Sequence, residues 1–291
     1  MTDWITIANA QLTAAINPLG AELSSLKDAA RRELMTDADP AFWTGRAPLL
    51  FPVVGKPAGE IIRIDGSEYP MKQHGFARRL PFALIEHKAD SATLRLEASD
   101  ETLSHYPFDF TLDASFFLDD ATLTTEITIT NPNSVEMPAS FGFHPAFAWP
   151  LPYGEDRAAH RITFSHDEPD GVRPIAADGT IAPGEKPSPL NRRTLVLEDD
   201  LFAHDALVWD HVRSDTLTYG APTGPQLEIA FPDTPMLGIW TKPGAHYICV
   251  EPWHGIADPE GYDGEFKDKP GIFLIPPGGT KTIAMSVSLI A

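Results

Sequence analysis

The clearest pattern along the chain is a series of short segments in which apolar and polar residues alternate. Successive side chains of a β-strand point to opposite faces, so alternation with a period of two predicts strands with one buried face. The run Thr122–Thr130 is the plainest, because its threonines and isoleucines favour a pleated surface. The same pattern predicts strands over 93–97, 108–116, 226–231 and 282–289.

Proline and glycine interrupt the chain so often that long helices have little room. There are 28 prolines and 21 glycines, and only two short helical turns are predicted, over 39–43 and 100–105. Strands spaced by roughly 8–12 residues favour an antiparallel sandwich over alternating strands and helices. No shift in composition marks a domain boundary, even across the proline-rich stretch 167–189. We therefore predict an all-β fold, one large antiparallel sandwich forming a single domain over residues 1–291.

Charge and cysteine content limit the binding partners and the cellular compartment that we expect. The 291 residues include 41 acidic and 22 basic side chains, a net charge of −19. Nucleic acids and anionic membranes are bound by clustered Lys and Arg, so we expect neither as a partner. Cys249 is the only cysteine, which excludes an intrachain disulfide. The first residues lack the pattern of a secretory signal, and the apolar stretch 47–54 is too short to span a membrane, so we expect a cytoplasmic protein.

A histidine lies where one aromatic strand is interrupted. If residues 140–144 form a strand, Phe141 and Phe143 share the core face, and His144 lies on the opposite face beside small residues. Pro145 cannot continue the hydrogen-bond ladder, so the sheet would open there and direct the imidazole into a ligand site. The alternative is a buried histidine with both ring nitrogens satisfied.

A glutamate lies in an apolar run near the C-terminus. In 247–253, Ile248 and Val250 are predicted to face the core, while Cys249, Glu251 and Trp253 share the other face with Tyr247. Burial raises the pKa of a carboxyl group, which suits Glu251 to acid–base work in a cleft. Alternatively, Glu251 lies at an exposed strand end and pairs with an arginine. We interpret Cys249 as a core thiol with no chemical role.

A third segment, 71–78, combines a histidine with basic residues. Between residues 46 and 79 the chain is locally basic, whereas the rest is strongly acidic; the basic residues are Arg46, Lys56, Arg63, Lys72, Arg78 and Arg79. With His74 among them, this patch indicates a polyhydroxylated or anionic ligand. Lysines and arginines that protect an edge strand from aggregation would give the same pattern.

Several common motifs are absent from the sequence. Pro252 disfavours a helical metal pair between Glu251 and His254, and 258–268 does not match a calcium-binding loop. There is no nucleophile elbow, phosphate-binding loop or dinucleotide fingerprint. We expect neither a metal nor an organic cofactor.

Together these segments resemble the aldose 1-epimerase (galactose mutarotase) family over essentially the whole chain. The matching segments, in order, are Gly45-Arg-Ala-Pro-Leu-Leu-Phe-Pro52, Gln73-His-Gly-Phe-Ala-Arg78, Phe143-His-Pro145, Asp205-Ala-Leu207 and Cys249-Val-Glu-Pro-Trp253. The resemblance implies a galactose mutarotase-like β-supersandwich that binds a monosaccharide. It also implies that Glu251 is the general base, that His144 is the general acid and that His74 assists them.

The resemblance further implies that Arg46 and Asp205 contact sugar hydroxyls. The basic patch adds Arg78 and Lys72 as candidate ligand contacts, and Trp253 or Trp149 could offer an apolar face to the sugar ring. Core packing would explain these tryptophans equally well. We expect a monosaccharide or a sugar derivative as the substrate, and a monomer or a homodimer.

The sequence departs from the galactose mutarotases at three positions, namely Gly45, Phe76 and Phe143, and is closer to a branch with His-Gly-Phe-Ala-Arg. That stretch also occurs in hexose-6-phosphate epimerases, but their Arg-Gly-Gly-Ile-Pro segment is replaced here by Arg46-Ala-Pro-Leu-Leu50.

The prediction is an aldose 1-epimerase, with a non-catalytic sugar sensor or a hexose-phosphate epimerase as alternatives. A glycoside hydrolase or lyase using Asp205 and Glu251 as paired carboxylates is a third. The epimerase prediction requires the His144 imidazole and the Glu251 carboxylate to converge from opposite sides on one pyranose-sized hollow.

Overall fold

Almost all regular structure is β-strand in the computed structural model, which describes residues 4–291. The strands are β1 Ile5–Ala8, β2 Leu12–Asn17, β3 Glu22–Asp28, β4 Leu49–Leu50, β5 Ile61–Ile64, β6 Ser67–Pro70, β7 Ala83–His87, β8 Ser91–Glu97, β9 Thr111–Asp119, β10 Thr122–Thr130, β11 Met137–Ala139, β12 Phe141–Phe143, β13 Ala146–Ala148, β14 Arg161–Phe164, β15 Thr194–Val196, β16 Leu207–Trp209, β17 Thr216–Gly220, β18 Gln226–Ala230, β19 Met236–Trp240, β20 Tyr247–His254, β21 Phe273–Ile275 and β22 Thr280–Ile290.

Within the part of the chain that the structure describes, helical structure is limited to single turns. The α-helix α1, Asp100–Leu103, begins at Ser99, whose hydroxyl accepts a hydrogen bond from the Thr102 N–H. The predicted turn over 39–43 is present as one turn, in which the Trp43 N–H donates to the Asp39 carbonyl. Short 3₁₀ segments lie at Ala58–Glu60, Ala77–Arg79, Arg157–Ala159, Asp199–Phe202 and Phe266–Asp268. No helix within residues 4–291 is long and apolar enough to cross a membrane.

Two antiparallel sheets dominate the architecture. The first has nine strands in the order β15-β14-β17-β18-β22-β10-β9-β8-β7, and the second has the order β16-β19-β20-β12-β4, with β13 also paired to β20. Smaller sheets are formed by β1-β2-β3, β5-β6 and β11-β21. This arrangement confirms the predicted all-β, antiparallel fold; the assignment of residues 1–291 to a single domain stays a prediction.

The main core lies between the two large sheets. Strand β10 alternates between buried and partly exposed residues along its whole length, as its sequence pattern predicts. Its buried residue Ile127 belongs to the same apolar cluster as Ile248 and Val250 of β20 in the second sheet. One face of the second sheet is therefore in the core, and its opposite face is free to form a site.

The structure also corrects some strand limits. The predicted segment 108–116 begins as a strand only at Thr111, because Phe108 and Phe110 pack into the core from the preceding loop. The other predicted segments agree with β8, β10, β18 and β22 to within two residues at each end.

Candidate active site

Strand β20 brings together the two segments that carry His144 and Glu251. Its C-terminal half pairs with β12 and its N-terminal half with β13, so residues 144–145 form the gap between its two partners. Within this gap the Val250 N–H donates to the Pro145 carbonyl at 3.2 Å. The break at Pro145 therefore places the histidine beside the middle of β20, where Glu251 lies.

The His144 imidazole and the Glu251 carboxyl group are in direct contact. The distance from His144 Nε2 to Glu251 Oε2 is 3.2 Å, and their side chains are only 9 % and 2 % exposed. The two groups thus converge on one place. The expectation that they approach from opposite sides is wrong, because they lie side by side on one wall, where β20 passes the gap after β12.

These two residues line a cavity of about 530 Å³ on the outer face of the second sheet. The cavity is also lined by six further polar residues and by a group of apolar ones. The polar set is Gln73, His74, Arg78, Asp205, Thr241 and Lys242, and the apolar set includes Trp43, Ile175, Ile181, Phe202, Val208, Trp240 and Trp253. A concave space with a few convergent polar groups is typical of small-molecule sites.

The predicted division of β20 between two faces is confirmed. Ile248 and Val250 belong to the main core, whereas Glu251 and Trp253 line the cavity. Cys249 is fully buried on the cavity side of the strand, in a small apolar cluster with Tyr247. The strand therefore contributes to the core and to the cavity wall at the same time.

His74 is held by its backbone in an unusual conformation. Its φ angle is 64°, in the left-handed region, and the next residue, Gly75, also has a positive φ. A Cβ on Gly75 would lie 2.1 Å from the Phe51 carbonyl oxygen, so glycine is required there. The Gly55 N–H donates to His74 Nδ1 at 3.1 Å. In the neutral ring the proton is therefore on Nε2, the nitrogen near the Gln73 side chain.

Two tryptophans that sequence reasoning missed complete the wall around His144. The Trp43 ring lies 4.9 Å from the His144 ring between centroids, and the Trp240 ring lies 5.9 Å from it. Trp43 is the last residue of the predicted turn, and Trp240 is the last residue of β19. The sequence shows only that each of these tryptophans lies at the end of an element. Tryptophans of the core occur at such positions too, so the sequence does not distinguish a cavity residue from a core residue here.

Burial shifts the pKa values of the central pair in opposite directions. Loss of water raises the pKa of Glu251 well above 4.5, and the nearby Asp205 carboxylate adds to this rise. Burial, assisted by the positive charge of Arg78, lowers the pKa of His144 to about 3. Burial therefore favours the neutral pair, in which the Glu251 carboxyl group donates to His144 Nε2.

Arg78 and Asp205 bring opposite charges to the cavity. Burial lowers the pKa of Arg78 to about 10, and its guanidinium donates to the Gln73 carbonyl at 3.2 Å. Asp205 has a φ of 83° and accepts a hydrogen bond from the Ala206 N–H at 2.7 Å. Non-glycine residues held in this backbone region concentrate at functional sites.

Two of the predicted binding residues do not line the cavity. The Arg46 guanidinium donates to the Thr36 and Asp37 carbonyls and is therefore used within its own loop region. Lys72 lies beside a separate, smaller pocket with His105. A basic residue near the site in sequence need not face it, because side chains along 71–79 point in several directions around the turn.

Trp253 lies against the backbone of two neighbouring strands. A Cβ on Gly142 would lie 2.4 Å from its ring, and one on Gly238 would lie 2.5 Å from it. The two glycines, on β12 and β19, leave room for the flat indole ring between them. Its Nε1 atom is buried and has no hydrogen-bond partner among residues 4–291. Trp253 is therefore both a packed residue and part of the cavity wall.

Known proteins resemble the chain over its length. The model of the family described as aldose 1-epimerase matches residues 3–266. Protein LacX of Lactococcus lactis is 29 % identical over 98 % of this chain and 99 % of its own.

Two solved structures have the same fold. The galactose mutarotase related enzyme of Lactobacillus acidophilus has a TM-score of 0.92 at 29 % identity, covering 99 % of this chain and 97 % of that one. A galactose mutarotase-like protein of Lactobacillus casei has a TM-score of 0.88 at 30 % identity, covering 99 % and 100 %. These matches confirm the galactose mutarotase-like fold. The chain belongs to the aldose 1-epimerase family and is an isomerase acting on carbohydrates.

Proposed function

We propose that the protein interconverts the α and β anomers of an aldose, with Glu251 as general base and His144 as general acid. The observation that carries this proposal is the 3.2 Å contact between His144 Nε2 and Glu251 Oε2 on the wall of the cavity. O1 and the ring oxygen O5 are bonded to the same carbon, so an acid and a base that serve both atoms must lie close together.

The reaction needs one proton to leave O1 and one to reach O5. The Glu251 carboxylate takes the O1 proton, the O1 electrons form the C1=O bond, and the C1–O5 bond breaks as His144 protonates O5. Rotation about C1–C2 presents the other face of the aldehyde, and the same steps in reverse close the ring. Each proton transfer contributes about 10²–10⁴-fold in rate.

The opposite pKa shifts suit this cycle. Ring opening leaves Glu251 protonated and His144 neutral, which is the form that burial favours. The starting form, carboxylate and imidazolium, has the same number of protons and differs by one transfer along the contact. Burial therefore reverses the order that the two pKa values have in water, and the proton transfers of ring opening lead to the form that the site stabilises.

The remaining polar residues would bind the sugar. His74, with its proton on Nε2, would donate a hydrogen bond near the ring oxygen, as its orientation by Gly55 allows. Asp205 and Arg78 would contact hydroxyl groups, and the indole face of Trp253 would cover an apolar face of the pyranose. The contact of Glu251 with His144, rather than with Asp205, argues against a hydrolase that uses paired carboxylates.

A hexose phosphate is a second candidate substrate, favoured by Arg78 and Lys242 in the cavity lining. A guanidinium and an ammonium beside one cavity can bind a phosphate group. If the substrate is phosphorylated, Arg78→Met should raise its KM by tenfold or more and leave the KM of a neutral aldose much less affected. Lys72→Met is the matched control, because Lys72 lies outside the cavity.

Anomer exchange measured by NMR over a panel of neutral and phosphorylated aldoses tests the proposal. We expect the wild-type protein to accelerate exchange of at least one sugar above the rate in buffer. Saturable binding of a sugar without faster exchange would show the sensor alternative instead.

A further inference from the structure

Cys249 is a buried nucleophilic group that the proposed reaction does not use. It pairs with Ala146 of β13, next to the gap in the sheet, and lies two residues before Glu251 on the same face of β20. Its side chain is fully buried, yet it lies directly behind the central pair rather than in the main core. The thiol, the imidazole of His144 and the carboxyl group of Glu251 each have a ligand atom within 4.8 Å of the others.

This set of donors is the one that Zn²⁺ prefers. Thiolate, imidazole and carboxylate are its usual protein ligands, and three of them leave a fourth position for water. Hard cations such as Mg²⁺ and Ca²⁺ prefer oxygen and would not gain from the sulfur atom. In a tetrahedral site the ligand atoms are about 3.5 Å apart, given Zn–S of about 2.3 Å and Zn–N of about 2.0 Å. The His144 and Glu251 atoms already lie 3.2 Å apart, so the sulfur atom alone would need to come closer, by about 1 Å, which side-chain rotation can supply.

The second ring nitrogen of His144, the one that does not contact Glu251, has no partner within residues 4–291. This atom, Nδ1, is buried and has no hydrogen-bond partner among the described residues, so the ring is not fixed from behind. Histidines of resident metal sites normally donate this second nitrogen to a carboxylate or a carbonyl group. The missing support indicates an exchangeable ion and not a permanent cofactor.

We propose that Zn²⁺ binds between Cys249, His144 and Glu251 and thereby inhibits the enzyme. The ion enters from the cavity, displaces the thiol proton and the shared proton of the pair, and occupies the lone pairs that would move protons at O1 and O5. The metal site rests on the geometry alone, whereas the inhibition also rests on the proposed catalytic roles.

Cobalt substitution tests the site directly, because Cys249 is the only cysteine of the chain. With Co²⁺ added to the metal-free protein, we expect a sulfur-to-cobalt charge-transfer band in the near ultraviolet, which added Zn²⁺ removes. The band must be absent from Cys249→Ala. Absence of the band in the wild-type protein at saturating Co²⁺ would overturn the proposal.

Inhibition is measured separately with the same two proteins. We expect Zn²⁺ to inhibit wild-type anomer exchange, EDTA to restore it, and Cys249→Ala to need at least about tenfold more Zn²⁺ for half-inhibition, comparable with the loss of other zinc-site partners. Equal sensitivity of the two proteins would place the inhibitory ion elsewhere and contradict the proposal. A cobalt band without inhibition would confirm the metal site and contradict the catalytic roles of His144 and Glu251.

Discussion

Glu251 is a carboxyl group that the fold surrounds with apolar and aromatic side chains. A charged carboxylate is costly in such surroundings, so the pKa of Glu251 is higher in the folded protein than in water. The group remains useful because His144, in contact with it, can accept that proton. At this scale the sequence was informative, since a glutamate within 247–253 interrupts an otherwise apolar strand. The pairing with His144 could be inferred only from the family resemblance, because the two residues lie 107 positions apart in the chain.

The raised pKa of Glu251 makes stability depend on pH. A carboxyl group whose pKa is higher in the folded state stabilises the fold below its ordinary pKa of 4.5, and this contribution is lost as the pH rises through the folded value. Glu251→Gln has no such loss, so its free energy of unfolding relative to wild type should increase from about pH 5 to about pH 8, by about 1.4 kcal/mol for each pH unit over which folded wild type keeps the proton. Urea unfolding at the two pH values measures it, and a difference that does not change with pH would contradict the assigned shift.

Strand β20 shows how one element can serve the core and the cavity together. Its alternation places Ile248 and Val250 in the core, and the other face carries Cys249, Glu251 and Trp253. The sequence predicts this division because the side-chain period of a strand is two. It does not predict that Trp253 rests on Gly142 and Gly238, since those contacts depend on which strands become neighbours.

A methyl group on Gly238 should displace the Trp253 ring. The added Cβ would lie 2.5 Å from the indole, so Gly238→Ala should destabilise the protein by about 1–3 kcal/mol and raise the KM for the sugar. In a Trp253→Ala background the ring is gone, and the same change should cost much less. The unfolding free energies of the wild type, the two single variants and the double variant give the coupling energy between Gly238 and Trp253. Equal costs in both backgrounds would show that the glycine does not make room for the ring.

At the scale of the whole molecule, segments remote in sequence are joined behind the cavity by a buried ion pair. Lys269 Nζ lies 2.8 Å from Asp258 Oδ1, and Asp258 Oδ2 accepts a hydrogen bond from the Ala58 N–H. Both residues are at least 95 % buried. Gly55, which orients His74, packs against Ala257 beside this pair. Local patterns predicted the strands and the fold class, but they contain no signal for a pairing between a loop after β20 and another near residue 58.

Removal of one member of this ion pair should destabilise the protein strongly. Lys269→Met leaves the Asp258 carboxylate buried without a counter-charge and should destabilise the protein by about 3–5 kcal/mol. Adding Asp258→Asn should recover a large part of that loss. Arg192→Met, which breaks the exposed pair with Asp167, is the control and should have little effect. Thermal unfolding ranks the stabilities of these variants. A small loss of stability in Lys269→Met would contradict the role given to the pair.

The most direct test of the account is the rate of anomer exchange in Glu251→Gln. We predict that this variant folds normally by circular dichroism and that its catalysed rate falls by about 10²–10⁴-fold. Glu22→Gln is the matched control, because Glu22 is another shielded carboxyl group whose pKa burial raises, but it accepts backbone hydrogen bonds from Arg46 and Ala47 outside the cavity. The control should retain the wild-type rate. Glu251→Gln at the wild-type rate would show that this carboxyl group does not move the proton at O1.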